Sequence, residues 1–508
     1  MRAAESKPDS SAGIKWFPAE LLVEIFALCW RSFTPRFDDI EPPTTPFDLE
    51  VARLAGSPPA DVSPAPVTSQ TAQFKTEIAR LVHAPLLVVA QVCTSWRAIA
   101  LGTPFLWCDI ELDSVLWNTQ IHIDKTTALL QSTLARSGTV LLNVALTDVV
   151  EHPFPPPILH MLAAHSQRWR TFICPYYLVG ELSAIQGKLP LLQRLDIDDS
   201  YDEPDSLDML SSLPSLTYLG FPGPFLADNI DKLPLARLKI FKCETTTLYE
   251  APEALTLMSR LPKAAQFQIH LALWSDIDHW REMDYRPQTS GISSFYIQVL
   301  GEFEPSHSEE ALGTLFANLT LPFLTHLELE YQNYPSFPLI WPHTDFLALS
   351  TRSDFDSHLQ SLQIFEVHIT DTQLLECLSG LHSLERLEIS DHQSVNNRGV
   401  DELLITDSLL AKLTRTPDSP CFVPRLSHLG CQTLLQFDDA ALLALAVSRL
   451  DADLDGPTTG CFGLELNWLP GRERKLDDAV SASFAALKIS TRRRFTFRMS
   501  AAQDEWVG

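Results

Sequence analysis

The stretch Leu321-Pro322-Phe323-Leu324-Thr325-His326-Leu327-Glu328-Leu329-Glu330 contains the pattern that decides the fold. After the Leu-Pro pair, Leu324, Leu327 and Leu329 place apolar side chains three and then two residues apart, and polar residues alternate with them. A period of two is typical of a strand with one buried face, whereas the proline ends a preceding helix and favours an extended chain after it. The stretch therefore predicts a strand that follows a helix.

The same apolar spacing recurs from Ser166 onward, and its context makes it informative. A Leu-Pro pair precedes five of the predicted strands, at Leu189-Pro190, Leu213-Pro214, Leu233-Pro234, Leu261-Pro262 and Leu321-Pro322. The residues predicted at the strand centres are separated by 19 to 42 positions and are Phe172, Leu195, Leu219, Leu238, Phe267, Ile297, Leu327, Phe365, Leu387 and Leu429.

The segments between these strands indicate helices, as at residues 206–213, 309–319, 372–381 and 438–450. A strand and a helix repeated at this period are typical of a leucine-rich-repeat solenoid, with parallel strands on a concave face and helices on the convex face. The variable spacing predicts an irregular array. The competing architecture is an all-helical repeat stack, against which the period-two alternation of Thr325 to Glu330 argues.

Polar residues that alternate with the buried leucines should line the exposed face of the sheet. Aromatic, histidine and charged side chains suit protein recognition, and the alternative is an ordinary solvated face. The candidates for binding a protein substrate are Tyr218, His270, Tyr296, His326, Glu328, Glu366 and Arg386. The other side chains expected on this face are Arg194, Asp196, Lys239, Gln268, His368 and Glu388.

Composition restricts the class of protein. The chain has 508 residues, 45% of them hydrophobic, which excludes wholesale disorder, and a formal charge of −26, which disfavours binding to nucleic acid or to an anionic membrane surface. Nine scattered cysteines indicate reduced thiols. No secretory signal is visible, and no apolar run approaches the roughly 20 residues that span a bilayer. We expect a soluble protein of the cytoplasm, the nucleus or both.

Motifs of known catalytic or cofactor sites do not occur in the sequence. It contains no glycine-rich phosphate loop, no serine flanked by glycines in the hydrolase pattern and no His-Glu-x-x-His pair. His160 and His165 are five residues apart and so lie on different faces of a helix, which makes a poor metal chelate. We therefore expect no enzyme activity, no cofactor and no metal site.

The N-terminal region predicts a small helical module. Pro18 suits a first helical turn, and an apolar stripe follows it; residues 85–101 form a second helical pattern that Thr103-Pro104 ends. The proline-rich residues between them favour an extended insertion at about 31–83. Three short helices cannot bury all the large apolar side chains present, so a partner surface is expected.

These residues resemble an F-box. The motifs are Phe17-Pro18-x-Glu20-Leu21-Leu22-x-Glu24-Ile25-Phe26, then Val92-Cys93-x-x-Trp96-Arg97-x-Ile99-Ala100 and Pro104-x-Leu106-Trp107. The family usually has Leu-Pro where this chain has Phe17-Pro18, and the insertion at 31–83 is a second departure. The resemblance implies binding to a Skp-type adaptor of a cullin ubiquitin ligase through Phe17, Pro18, Leu21, Leu22, Ile25, Phe26, Val92, Cys93, Trp96 and Trp107. The alternative is a buried helical hairpin with Trp96 and Trp107 in a larger core.

The predicted organisation has four parts. Residues 1–13 form a disordered tail, residues 14–112 the F-box-like module, residues 113–470 the leucine-rich-repeat-like domain, and residues 471–508 a C-terminal cap or basic tail. In the last part, the alternating Phe495 and Phe497 favour a cap or last strand, and Arg492-Arg493-Arg494 indicates more weakly a nuclear-import patch.

The implied function is that of a substrate-recognition adaptor. It would act as a monomer within a hetero-complex, with the module on the Skp adaptor and cullin core and the repeats on an unknown protein substrate. Two alternatives remain: an interaction scaffold without a role in ubiquitination, and, less favoured, an enzyme with an unrecognised site.

Overall fold

The structure is a computed structural model, and it describes residues 92–113, 119–147, 153–198, 210, 212–222, 233–247, 251–272, 285–301, 305–332, 339–390, 404–416, 422–450, 461–468, 474–491 and 495–501. The predicted tail at 1–13, the first helix of the F-box-like module and the insertion at 31–83 lie outside these residues. Most of the predicted helix at 206–213 also lies outside them.

The chain is an α/β protein in which strands and helices alternate and the strands pair in parallel. It divides into two compact units, Met1–Leu216 and Thr217–Gly508. Parallel pairing of strands from successive strand–helix segments confirms the α/β class and contradicts the all-helical alternative.

The first unit contains a parallel sheet in the order β1-β2-β3-β4. Its sheet core is a row of side chains in register, Ile110, Val144, Phe172 and Leu195, all buried. Short 3-10 turns at Pro104–Trp107, Ser166–Arg168 and Leu182–Ile185 connect its elements, which are α1 (Thr94–Gly102), β1 (Asp109–Asp113), α2 (Gln120–Arg136), β2 (Leu142–Thr147), α3 (Pro156–Ala163), β3 (Trp169–Pro175), α4 (Leu178–Glu181) and β4 (Arg194–Asp198).

The second unit contains a larger parallel sheet. Its strands are β5 (Tyr218–Pro222), β6 (Ile240–Thr247), β7 (Gln266–Ala272), β9 (Ser294–Leu300), β11 (His326–Gln332), β13 (Ser361–Phe365), β15 (Arg386–Ser390), β16 (His428–Thr433), β17 (Phe462–Trp468) and β18 (Phe495–Ala501), hydrogen-bonded in that order. Four two-residue strands form two small parallel pairs, β8 (Gln288–Thr289) with β10 (Leu319–Thr320) and β12 (Leu339–Ile340) with β14 (Val367–His368).

Helices connect most of these strands. They are α5 (Ala251–Arg260), α6 (Pro305–Ala317), α7 (His343–Ser353), α8 (Phe355–His358), α9 (Asp371–Ser379), α10 (Asp407–Leu413), α11 (Asp439–Leu450) and α12 (Asp478–Ser490). The predicted helices at 309–319, 372–381 and 438–450 correspond to α6, α9 and α11. α9 begins with a capping box, in which Thr370 accepts from the backbone N–H of Gln373 and the Gln373 side chain accepts from that of Thr370.

One buried column of side chains crosses the larger sheet. Its register runs through Leu219, Phe241, Phe267, Phe295, Leu327, Leu362, Leu387, Leu429 and Leu464. The rings of Phe241 and Phe267 stack with centroids 5.9 Å apart, and those of Phe267 and Phe295 lie 5.7 Å apart. Each such side chain contributes about 1.5–3 kcal/mol on burial, so this column forms a continuous core for the unit.

The predicted register is wrong in three strands and confirmed in the others. The centres are Phe241, Phe295 and Leu362, whereas Leu238, Ile297 and Phe365 were predicted. The alternation within one strand fits more than one register, because Leu238 and Ile297 are themselves buried. Pairing with neighbouring strands decides between them. By contrast, Leu327, Leu387 and Leu429 are centres, as predicted.

Candidate functional site

The predicted adaptor-binding residues fall partly within the structure. Phe17, Pro18, Leu21, Leu22, Ile25 and Phe26 lie outside the described residues. Val92 and Cys93 are exposed just before α1, and the Cys93 thiol accepts a hydrogen bond from the backbone N–H of Trp96. This contact caps the start of the helix. The Trp96 side chain on α1 is half-buried.

Trp107 lies in the interior, with 2% of its surface exposed. Its indole N–H donates to the Ala100 carbonyl at 2.8 Å, and the Arg136 guanidinium lies 4.6 Å from the ring centroid. Trp107 therefore contacts both the end of α1 and α2. The buried-hairpin alternative predicts such burial for this residue, and little of its surface remains for a partner. Two apolar residues nearby are exposed, Val92 with 54% of its surface accessible and Phe105 with 42%.

The outward face of the larger sheet carries most of the predicted substrate-binding residues. Tyr218, Tyr296 and Glu328 are half-buried on β5, β9 and β11, His326 and Arg386 are exposed on β11 and β15, and His270 is buried on β7. Strand pairing aligns His270 with Gln298, and Gln298 with Glu330. These side chains therefore form rows across successive strands.

Glu366 and His368 do not belong to this face. Glu366 follows β13 with a left-handed backbone, φ +60°, and its N–H donates to the Ser390 hydroxyl. His368 lies on β14, which pairs with β12 outside the larger sheet. The three-residue register error at Phe365 accounts for both predictions. The same three-residue error, at Leu238, led to the prediction that Lys239 lies on this face. The residue in register with Gln268 is Lys242.

A buried polar cluster occupies the centre of the face. Tyr296 donates from its hydroxyl to Glu330 Oε2, and Gln298 donates to the same oxygen at 3.4 Å. The His270 ring meets the Tyr296 ring edge-on, with centroids 6.2 Å apart. Burial, together with the nearby Lys242 charge, lowers the pKa of His270 to about 3, so this imidazole is neutral at physiological pH. Gln298 and Glu330 are not among the predicted residues, although each alternates with buried neighbours on its strand, and that period of two is the signal that could have found them.

The carboxylates beside this cluster differ in their surroundings. Burial, with the nearby charges of Glu330 and Glu388, raises the pKa of Glu328 to about 7. Burial alone would raise the pKa of Glu388 as well, but contacts with His428 and Arg386 outweigh it and hold that pKa below its usual value. Arg386 forms an ion pair with Glu388, and His428 Nε2 lies 3.2 Å from Glu388 Oε1. The pKa values of two glutamates on the same face are thus shifted in opposite directions by their surroundings.

Two glycines make room for these side chains. A Cβ at Gly430 would lie 2.9 Å from Glu388 Cγ, and one at Gly463 would lie 2.8 Å from His428 Nδ1. Side chains from the preceding strands therefore lie across the bare backbone of β16 and β17. Beside them is an open depression of about 300 Å³ lined by Arg386, His428, Leu464, Glu465, Thr496 and Arg498.

One Cys–His–Glu arrangement bears on the enzyme alternative. His343 Nε2 lies 2.7 Å from Glu376 Oε2, and Cys377 Sγ lies 3.7 Å from His343 Nδ1. The Cys377 side chain has 2% of its surface exposed, and burial raises the pKa of its thiol to about 12. A nucleophilic cysteine needs a low pKa and access to substrate, so this arrangement is a structural contact between α7 and α9.

The described residues contain no cluster of three or more His, Cys, Asp or Glu side chains that could hold a metal ion. His160 is exposed on α3, and His165 is half-buried after that helix ends. Among the helices that the structure describes, none has the length and apolar character needed to cross a membrane. Comparison of the chain with protein-family models and with curated proteins found no match.

Proposed function

We propose that this chain is a substrate-recognition adaptor of a Skp–cullin–F-box ubiquitin ligase complex. The N-terminal F-box would bind the Skp-type adaptor, and an irregular leucine-rich-repeat domain would bind a protein substrate. The observation that carries this proposal is the order of parts: motifs from Phe17-Pro18 to Pro104-x-Leu106-Trp107, followed by successive strand–helix units in a parallel sheet.

The local geometry supports an interface at the start of α1. Val92 and Phe105 expose apolar surface on either side of a helix that carries a half-buried Trp96. Exposed apolar side chains such as these, one before α1 and one after it, suit a protein contact. Trp107 would contribute indirectly, because it holds α1 through the Ala100 carbonyl.

The mechanism of such an adaptor is proximity. The module would hold the ligase core and the sheet face would hold the substrate, so that a substrate lysine meets the ubiquitin-charged enzyme at a high effective concentration. The adaptor itself would perform no bond chemistry. The polar, partly buried face of β7 to β16 is suited to selecting the substrate, and the complex would act in the cytoplasm, the nucleus or both.

Capture of the Skp-type adaptor tests the first half of the proposal. The full chain should retain it, and a variant with Pro18→Ala and Trp96→Ala should recover at least about tenfold less, because large apolar side chains carry most interface energy. Ser95→Ala, an exposed change on the same helix, is the matched control and should bind like the wild type. Equal recovery with the double variant would count against the proposal.

Cullin co-purification separates the ligase adaptor from the scaffold alternative. A ligase adaptor should recover cullin together with the Skp-type adaptor, whereas a scaffold should recover the Skp-type adaptor alone. Affinity purification under proteasome inhibition, followed by mass spectrometry, would then identify substrates that otherwise turn over.

A further inference from the structure

Glu328 is a carboxylate at the centre of the larger sheet. It is half-buried on β11, and it makes no hydrogen bond or ion pair with any residue that the structure describes. The positive charge of Arg386 acts on it, but Arg386 is already paired with Glu388. A partly desolvated carboxylate that has no cation of its own is costly, and a cationic ligand would offset that cost.

His270 provides a second, independent observation on the same face. Ile269 and Leu271 on either side of it point into the core, so His270 points to the outward face with Gln298 and Glu330. Only 6% of its surface is exposed, and neither ring nitrogen has a hydrogen bond with the described part of the chain. Buried polar groups usually have partners, and a neutral imidazole has one nitrogen that can accept a hydrogen bond.

The spacing of the two groups suits an extended ligand. His270, Tyr296 and Glu328 lie on the successive strands β7, β9 and β11, and Glu328 is two residues from the position in register with His270, which places the outer two Cα atoms about 12 Å apart. Both outer groups offer acceptors, and Glu330, two residues from Glu328 on β11 and in the same row as His270, adds a second carboxylate. A segment with successive cationic side chains can reach both positions.

We propose that the face formed by β7, β9 and β11 binds a basic segment of a partner protein, with a lysine or arginine side chain seated against Glu328. This inference rests on the substrate half of the proposed function and specifies its chemistry. The net charge of −26 favours the same partner, because it attracts basic chains and repels phosphate backbones.

Binding of a labelled peptide of alternating lysine and serine to the full chain tests this proposal by fluorescence anisotropy. Glu328→Gln should weaken binding about tenfold, the lower end of the loss expected when a hydrogen bond to a charged group is removed. Glu309→Gln removes an exposed carboxylate from α6 and is the matched control, which should bind like the wild type. A peptide with glutamate in place of lysine should not bind.

The pH dependence identifies the responding group. A carboxyl with a pKa of about 7 is mostly protonated at pH 6 and ionised at pH 8, so wild-type affinity should rise about tenfold across this range. The ionisable groups that face Glu328 are His326 and Glu330 on its own strand, Tyr296 on β9, and Arg386 and Glu388 on β15; β13 presents Ser361 and Gln363. Glu328→Gln retains all of them and should lose most of the rise.

The outcomes are distinguishable from those of the ligase proposal. Glu328→Gln replaces a carboxylate by its neutral isostere, and a thermal melt together with wild-type recovery of the Skp-type adaptor checks that the fold is intact. Weakened peptide binding with retained adaptor supports the inference. Equal affinity of wild type and Glu328→Gln, no binding of the lysine peptide, or preference for the glutamate peptide or a short RNA would overturn it. Loss of adaptor capture alone would affect only the ligase assignment.

Discussion

At the residue scale, three arginines connect successive strand–helix segments. Arg168 donates to the Val140 carbonyl, Arg352 to the Phe316 and Leu319 carbonyls, and Arg449 to the Leu413, Val423 and Phe422 carbonyls. The accepting segments lie 26 to 36 residues earlier in the chain. The last carbonyls of a helix have no partner within that helix, and for Phe316 and Leu413, at the ends of α6 and α10, these arginines supply one.

Arg449→Met should lower the free energy of unfolding by about 3 kcal/mol or more, because it leaves several buried carbonyls without donors. Arg449 is among the largest fully buried side chains, so its apolar stem is retained in part by methionine. Chemical denaturation would measure the loss. Arg425→Met, which changes an exposed arginine, is the control, and an equal effect of both variants would contradict this role.

These hydrogen bonds from arginines to backbone carbonyls could not be predicted from the sequence. An arginine in the last turn of a helix is common, and only the packing of the next segment reveals that Arg449 is buried and aimed at Leu413. The outward placement of His270 and Glu328, by contrast, was predicted, because each lies one residue from an apolar position in a strand whose register was correct.

At the element scale, each strand's identity follows from its own sequence, but its register depends on its neighbours. Leu238 and Phe241 are both buried, and either could centre a strand. Pairing of Phe241 with Leu219 and Phe267 on the adjacent strands selects the second. A shift of this kind changes every outward side chain, which is why Lys242 replaces Lys239 on the face.

Gly430 on β16 provides a test of how elements pack. Gly430→Ala should destabilise the fold by about 1–3 kcal/mol, because the new Cβ would lie 2.9 Å from Glu388 Cγ and force that side chain away from His428. Thermal and chemical denaturation would measure the change. Gly102→Ala is the matched control at the end of α1, where a Cβ would meet nothing within 4 Å and stability should be unchanged or slightly higher.

At the scale of the whole molecule, charge is the dominant property. With 64 acidic residues against 38 lysines and arginines, the compact state carries strong self-repulsion at low ionic strength. The paired groups on the sheet face, such as Arg386 with Glu388, offset only a small part of it.

Moderate sodium chloride should therefore raise the melting temperature of the full chain, since salt screens repulsion between exposed like charges. The same salt should weaken binding of the lysine peptide, because that attraction is screened as well. Potassium chloride should reproduce both effects. A melting temperature that falls as salt is added would indicate that favourable ion pairs outweigh the net repulsion.

The sequence by itself determined that this chain alternates strands and helices, because leucines at a period of two and the Leu-Pro pairs before them act within a few residues, as at Leu321 to Leu329. It also determined the acidity of the molecule. Only the tertiary structure decided the register that places Phe241 and Leu362 at strand centres, the burial of Trp107 against Ala100, and the meeting of His270, Tyr296 and Glu330. These depend on contacts between residues far apart in the chain or on a choice among nearly equivalent local patterns, and packing makes that choice.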